Sequence, residues 1–247
     1  MKADPAAQVR LLDLQTLDTR TDQLRHRLAT LPELATIAEL RVKVGDLERL
    51  RMDQQIVVDD LTVEQEKVDA DVEAVKARRT RDRSRMDSGE IANPKDLERM
   101  QHELVSLDRR ISSLEEQELE VMERVEEAQA ELTKFTAALA EARALGSEQV
   151  ASRDAKTAEL NAELASIATA REPLHADLPT DLVALYEKLR AAKDGQGAAL
   201  LHRGQCGGCM LTLDAAELNE IRSKADDEVV RCEECQRILV RTNESGL

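Results

Sequence analysis

The sequence predicts a mainly α protein: a long antiparallel coiled-coil hairpin, then a small β-rich C-terminal domain gathered around four cysteines. Three observations carry this. Phe135 and Tyr186 are the only aromatics among 247 residues, and there is no Trp. Aromatic side chains supply the largest single blocks of buried core, so one large globule would be poorly filled. Yet 42% of residues are hydrophobic and 34% are charged, the mixture of long helices and coiled coils. Third, the apolar residues recur every three or four positions along two tracts of nearly equal length.

The first tract covers roughly residues 6–85. Leu14, Leu17, Thr21, Leu24, Leu28 and Leu31 alternate steps of three and four, and the rhythm resumes after Pro32 at Leu40, Val44 and Leu47, then Val58, Leu61, Val68, Val72 and Val75. Pro32 lacks a backbone donor, so it kinks the helix or begins a new one. The second tract, roughly 94–172, is cleaner. Leu97, Met100, Leu104, Leu107, Ile111, Leu114, Glu118, Val121, Val125, Ala128, Leu132, Phe135, Leu139 and Ala142 step strictly by three and four, and only Glu118 is polar. A 3.5-residue repeat sustained this long specifies a left-handed coiled coil. Glu118 either fixes register across the seam or reaches out to water.

Between the tracts, residues 86–93 hold Ser88, Gly89 and Asn93, with Pro94 following. This is turn chemistry, and Asn93 can cap a helix that starts at Pro94. Equal arms and a short turn predict intramolecular pairing, each arm reaching about 120 Å at about 1.5 Å per residue. The hairpin is expected over 1–177. Glu172-Pro173 and Leu178-Pro179 should end it, and 178–247 should hold a connecting helix (180–193) and the cysteine domain. β-Prone pieces lie around Ala199–His202, Met210–Leu213, Glu228–Arg231 and Arg237–Arg241. Asp214 with Glu217 reads as a capping box for a helix over 215–223.

Cys206-Gly207-Gly208-Cys209 and Cys232-Glu233-Glu234-Cys235 carry the sharpest chemistry. Two C-x2-C turns brought together form a tetrahedral four-sulfur site, the coordination preferred by one structural Zn²⁺. Gly207 and Gly208 should supply positive-φ turn geometry and let amides approach the thiolates. So small a domain without aromatics needs such a staple. A rubredoxin-like iron site uses similar spacing but wants an aromatic shell. His202 could replace a ligand, though a surface role suits it better. Four thiolates leave no open position for a catalytic water, so no enzyme is expected.

On these residues the chain resembles the bacterial coiled-coil proteins that end in a C4-type zinc ribbon. The likeness rests on Asn93-Pro94-Lys95-Asp96-Leu97, Gln101-His102-Glu103-Leu104, Leu182 to Leu189 with Tyr186, and Cys206–Cys209, and on Cys232–Cys235 running on through Gln236, Arg237, Ile238 and Leu239. Val240 stands where that family often has an aromatic, and Gln236 where Gly is common. The resemblance implies a helical hairpin bearing a zinc ribbon, and non-enzymatic roles. Some relatives act in flagellar assembly and associate with an alternative sigma factor, and RNA binding has been proposed.

Charge narrows the partners. Lys and Arg total 35 against 50 Asp and Glu, a net −15, so nucleic acid has no general attraction to the chain. Locally, Arg78, Arg79, Arg81, Arg83 and Arg85 crowd the hairpin tip, and Lys95 and Arg99 return on the other arm. Such a collar could dock phosphate or an acidic protein surface. The ribbon, residues 195–247, holds six basic and nine acidic residues, which favours protein contact there. No 18-residue apolar run or leader-like start appears, so a cytoplasmic chain is expected, monomer or homodimer, with no membrane contact. The function expected is a non-enzymatic zinc-binding scaffold or adaptor. It contacts a protein partner, of the transcription or assembly machinery, through ribbon and hairpin. The alternative is an RNA- or DNA-binding protein using the basic tip.

Overall fold

The computed structural model describes residues 1–247. Five helices and four short strands follow one another: α1 (Pro5–Ala29), α2 (Pro32–Asp87), α3 (Pro94–Ala176), α4 (Thr180–Ala192), β1 (Ala198–His202), β2 (Gln205–Cys206), α5 (Ala215–Ser223), β3 (Val230–Arg231) and β4 (Ile238–Val240). They form two compact units, Ala35–Val150 and Met1–Leu34 with Ala151–Leu247.

The unit Ala35–Val150 is a two-helix coiled coil. The heptad positions Leu104, Leu107, Ile111, Leu114, Val121, Val125, Ala128, Leu139 and Ala142 are buried, and Leu97, Met100, Leu132 and Phe135 are half-buried. Opposite them, Val58 and Leu61 join Val121, Val125 and Ala128 in one apolar cluster. Cross-helix ion pairs flank the seam: Glu48–Arg143, Glu64–Arg124 and Lys76–Glu115. Glu118 is half-buried and close enough to Lys76 to help raise its pKa, behind the direct bond from Glu115. At the turn, the Asn93 side chain accepts from the Lys95 amide at 3.0 Å, capping the helix that Pro94 opens.

The other unit has a fuller core. Asp4 caps α1 by accepting from the Ala6 amide at 2.8 Å, with Pro5 as the first helical residue. Pro32 begins a new helix; α1 stops at Ala29. The four strands make one sheet in the order β2-β1-β4-β3, with β1 and β4 parallel and the other pairs antiparallel. Alternation along β1 and β4 divides the side chains. Ala198, Ile238 and Val240 enter a core with Leu11 and Leu14 of α1 and Leu182 and Tyr186 of α4. Ala199, Leu201 and Leu239 enter a second core with Leu213, Ile221, Val230, Cys206 and Cys232. The start of the chain is tied in by two backbone bonds, Ala3 to Asp227 and Val229 to Met1.

Three expectations change. The compact units do not divide at 177/178, because the ribbon sheet shares its first core with α1 and α4. Glu172-Pro173 does not end the second arm: α3 runs through Pro173 to Ala176, and Leu174 and Leu178 beyond it pack on that core, offsetting the hydrogen bond that proline removes. Met210–Leu213 forms only an isolated bridge, Thr212 with Gln205, and β2 takes its place. Val240, where the resemblance led one to expect an aromatic, is completely buried, so the difference concerns packing.

Candidate metal centre

The four cysteines lie on two similar turns. One follows β2 and the other follows β3. The hairpin that delivers the first turn reverses at Arg203 and Gly204, both with positive φ, the geometry of a tight two-residue β-turn. The structure brings Cys206, Cys209, Cys232 and Cys235 together, all Sγ atoms within 4.8 Å of one another. Across the two turns Cys206 lies 3.8 Å from Cys235, and Cys209 3.9 Å from Cys232. A tetrahedron with Zn–S bonds of about 2.3 Å has sulfur–sulfur edges of about 3.8 Å, so the cluster fits one zinc ion.

Electrostatics around the sulfurs are uneven. Burial pushes the Cys206 thiol up to about 12, against backbone amides of Cys209 and Gly208 that favour the thiolate. The Gly208 amide points at Cys206 Sγ from 3.4 Å. Burial likewise raises Cys232. Burial acts upward on Cys235 as well, but the backbone amide and guanidinium of Arg237, with the neighbouring thiols, hold it down to about 7. Zinc requires deprotonated thiols, and the amides and Arg237 are the groups here that stabilise the charged form.

The glycines do a different job from the one their sequence suggested. Neither Gly207 nor Gly208 has positive φ; Met210 and Gln236 do, at +62° and +63°, each one residue after the second cysteine of its turn. Gly207 and Gly208 are needed for space. A Cβ on Gly207 would stand 3.0 Å from the Leu200 carbonyl oxygen, and one on Gly208 would stand 2.7 Å from Arg237 Cδ. Gln236 adopts its left-handed backbone at a cost of about 1 kcal/mol.

Several supporting residues have no signal in sequence spacing. Arg237 donates to the carbonyls of Gln196, Gly208 and Lys193. Arg241 donates to those of Ile221, Lys224, Ala225, Asp226 and Glu228. Both clasp loop backbone in place of serving as surface charge. The capping box forms by half: Asp214 accepts from the amides of Ala216 and Glu217, while the Glu217 carboxylate accepts from the Glu233 amide on the second cysteine turn at 3.2 Å. His202 lies outside the cluster, exposed, with Nδ1 3.4 Å from Glu244.

A buried polar network anchors the ribbon's helical support. Asp18, almost wholly buried, accepts from Arg171 at 2.6 Å and 3.2 Å and from the Tyr186 hydroxyl at 2.8 Å. Arg190 lies 3.7 Å from the same carboxylate and donates to Asp22. Nearby, Gln15 Oε1 accepts from the amides of Gly197 and Ala198, and its Nε2 donates to the Gly195 carbonyl. The only hint in sequence was polar residues at 15 and 18 on the face that carries Leu11 and Leu14.

The basic tip is less open than a count of arginines implies. Arg78 pairs with Glu103 and Asp82, Arg79 with Asp108, Arg83 with Asp87, Arg85 with Glu90 and Arg99 with Asp96. Arg81 and Lys95 are the exposed cations of the set without an ion pair. Five acidic residues accompany the seven basic ones between Arg78 and Arg99, so the collar carries little net field.

Comparison with known proteins follows the two parts of the chain. Residues 14–194 match the CT398-like coiled coil hairpin domain, and residues 205–239 match the C4-type zinc ribbon domain. An uncharacterized protein of Mycobacterium tuberculosis is 37% identical over 241 residues, 98% of each chain. One of Mycobacterium leprae is 31% identical over 221 residues, 88% of this chain and 93% of the other. A solved structure from Mycobacterium smegmatis superposes with a TM-score of 0.81 at 36% identity, covering 98% of this chain and all of that one. CT398 from Chlamydia trachomatis, at 18% identity, shares the fold: its TM-score is 0.61 over 95% of this chain and 97% of its own.

Proposed function

Because the chain belongs to the CT398-like family of coiled-coil hairpin proteins that end in a C4-type zinc ribbon, we propose that this zinc-binding scaffold is a non-enzymatic cytoplasmic adaptor whose ribbon docks on a protein partner. The observation that carries the reading is the first cysteine turn. Met210 and Leu211 follow Cys209 directly and are 64% and 50% exposed. The positive φ of Met210 and the metal-held turn fix this apolar pair outward. Bulky apolar side chains presented on a rigid turn suit the buried centre of a protein–protein contact. The acidic balance of the ribbon opposes a phosphate backbone, and four thiolates leave zinc no open position for substrate.

The test is affinity capture from the native cell with four baits, all zinc-loaded except the third, which lacks one of the four ligands. These are wild type, Met210→Asp with Leu211→Asp, Cys232→Ser, and a variant with Arg78, Arg79, Arg81, Arg83 and Arg85 changed to Gln. The adaptor reading expects one partner set retained by wild type and the Arg variant and lost with the other two. Salt-sensitive recovery of RNA or DNA, lost only in the Arg variant, would replace it with the nucleic-acid reading.

A further inference from the structure

Of the nine glycines in the chain, only Gly45 and Gly146 lie inside helices, one on each arm of the coiled coil in the unit Ala35–Val150. They stand at the same level. Glu48 and Arg143 pair across the seam. Gly45 lies three residues before the first and Gly146 three residues after the second, which is one level in antiparallel helices of equal rise. A Cβ added at either would meet nothing within 4 Å, so no close neighbour demands a glycine. Each weakens its helix by about two- to fivefold without a packing reason. Ser147 follows Gly146 directly, and Gly beside Ser is one of the few local causes of a sharp helix bend.

The seam is open at the same level. Gly146 continues the three-and-four stepping of Leu139 and Ala142, so one seam position has no side chain. Beside it lies an apolar cleft of about 220 Å³, whose lining includes Leu40, Val44, Ala142 and Val150. Between Ile37 and Val58 no residue of α2 is buried, and from Arg143 to Val150 none of α3 is. Toward the tip the pattern differs: Leu104, Ile111, Leu114, Val121 and Val125 are all buried. Sparse apolar burial lowers the cost of local opening.

We propose that this level is a joint at which α2 and α3 bend together. Two paired helices bend as one when both backbones yield at a single level and no packed seam resists; with helical glycines only at 45 and 146, both conditions meet here. The coil from Val58 and Val125 out to the turn at 88–93 moves as one piece, because its apolar seam is closed. On the tip side of the glycines, Glu48–Arg143 and Glu64–Arg124 hold the arms in register while the joint moves. A jointed arm presents the tip in a range of directions, which an unbroken coil does not, since long helices without such a site only curve gently.

Hydrogen exchange and small-angle X-ray scattering of the zinc-loaded full chain test this. Amides of 40–48 and 143–150 should exchange at least about tenfold faster than those of 58–72 and 104–125, and wild-type scattering should require a spread of bend angles. Gly45→Ala with Gly146→Ala should keep helicity by circular dichroism and slow exchange at the joint by about tenfold. Gly45→Ala with Gly146→Leu, which also fills the empty seam position, should slow it further and reduce the scattering to a single conformation. Exchange at the joint no faster than in the flanking coil, wild-type scattering that fits one conformation, or both measurements unmoved by the substitutions would overturn the proposal.

Discussion

The two compact units use nearly the same aliphatic alphabet and reach different depths of burial. In the unit Ala35–Val150, two helices share one seam, and its bulky seam residues mostly retain some exposure: Val58, Leu61 and Leu104 keep 7%, 8% and 8%. The seam also tolerates imperfect polar groups. Arg51 Nε and Asp69 Oδ1 are buried without a hydrogen-bond partner, while Gln54 reaches the Ala128 carbonyl. In the unit Met1–Leu34 with Ala151–Leu247, helices and a sheet enclose residues from all sides, and Leu11, Leu14, Leu182, Tyr186, Ile238 and Val240 lose all contact with water. A pair of helices covers at most one face of each; adding a sheet is what closes a core. Metal is one of two reasons the aromatic-poor ribbon holds together. The other is that one face of its sheet is packed on α1 and α4.

The sharpest way to break this contrast is to remove the metal. Structural zinc contributes on the order of 10 kcal/mol to folding of small domains, so chelation or Cys206→Ser should unfold the ribbon. Because Ile238 and Val240 share a core with Leu14 and Tyr186, loss of protection should spread to α1 and α4. The unit Ala35–Val150 should keep its helicity. Hydrogen exchange read segment by segment, with metal analysis giving one zinc per wild-type chain, checks both halves. The same ion should be acid-labile: protons return to thiols that burial holds up, Cys206 at about 12, so zinc affinity falls as pH falls, as titration with a colorimetric chelator would record.

Next in size is the buried network. Asp18→Asn leaves the Arg171 and Arg190 guanidinium groups without their shared carboxylate and should cost about 3 kcal/mol. Tyr186→Phe removes a single bond to that carboxylate and should cost about 1.5 kcal/mol; chemical denaturation of the full chain separates the two. The packing contrast itself is tested by Leu14→Ala, expected to cost about 4 kcal/mol, against Leu61→Ala, nearer about 2 kcal/mol, because only the first site is enclosed on every side. Smallest, and opposite in sign, is Gly146→Ala. Gly146 is helical with nothing within 4 Å of an added Cβ, so the change should stabilise its helix by about 0.5–1 kcal/mol.

What was legible in the sequence was local. The strict three-and-four stepping from Leu97 to Ala142 specified which side of α3 is buried, because helix periodicity alone assigns faces. Asn93-Pro94 and Asp214 announced helix starts through capping chemistry that depends on neighbours in sequence. Two C-x2-C pairs announced the metal cluster because ligand spacing within each turn is a local property.

The tertiary structure decided what depends on residues far apart in the chain. Asp18 meets Arg171 and Tyr186 across more than 150 positions, and Gln15 reaches Gly197 across 182; no spacing rule predicts either. It neutralised five of the seven tip cations through carboxylates, some on the other arm, and turned Arg237 and Arg241 from apparent surface charge into clasps on loop carbonyls. It also moved the positive-φ positions from Gly207 and Gly208 to Met210 and Gln236, since the space beside the glycines was already taken by Leu200 and Arg237. Periodicity and spacing govern which groups are buried or ligating, whereas the pairing of charges and the fit of backbone to its neighbours exist only once distant segments are brought together.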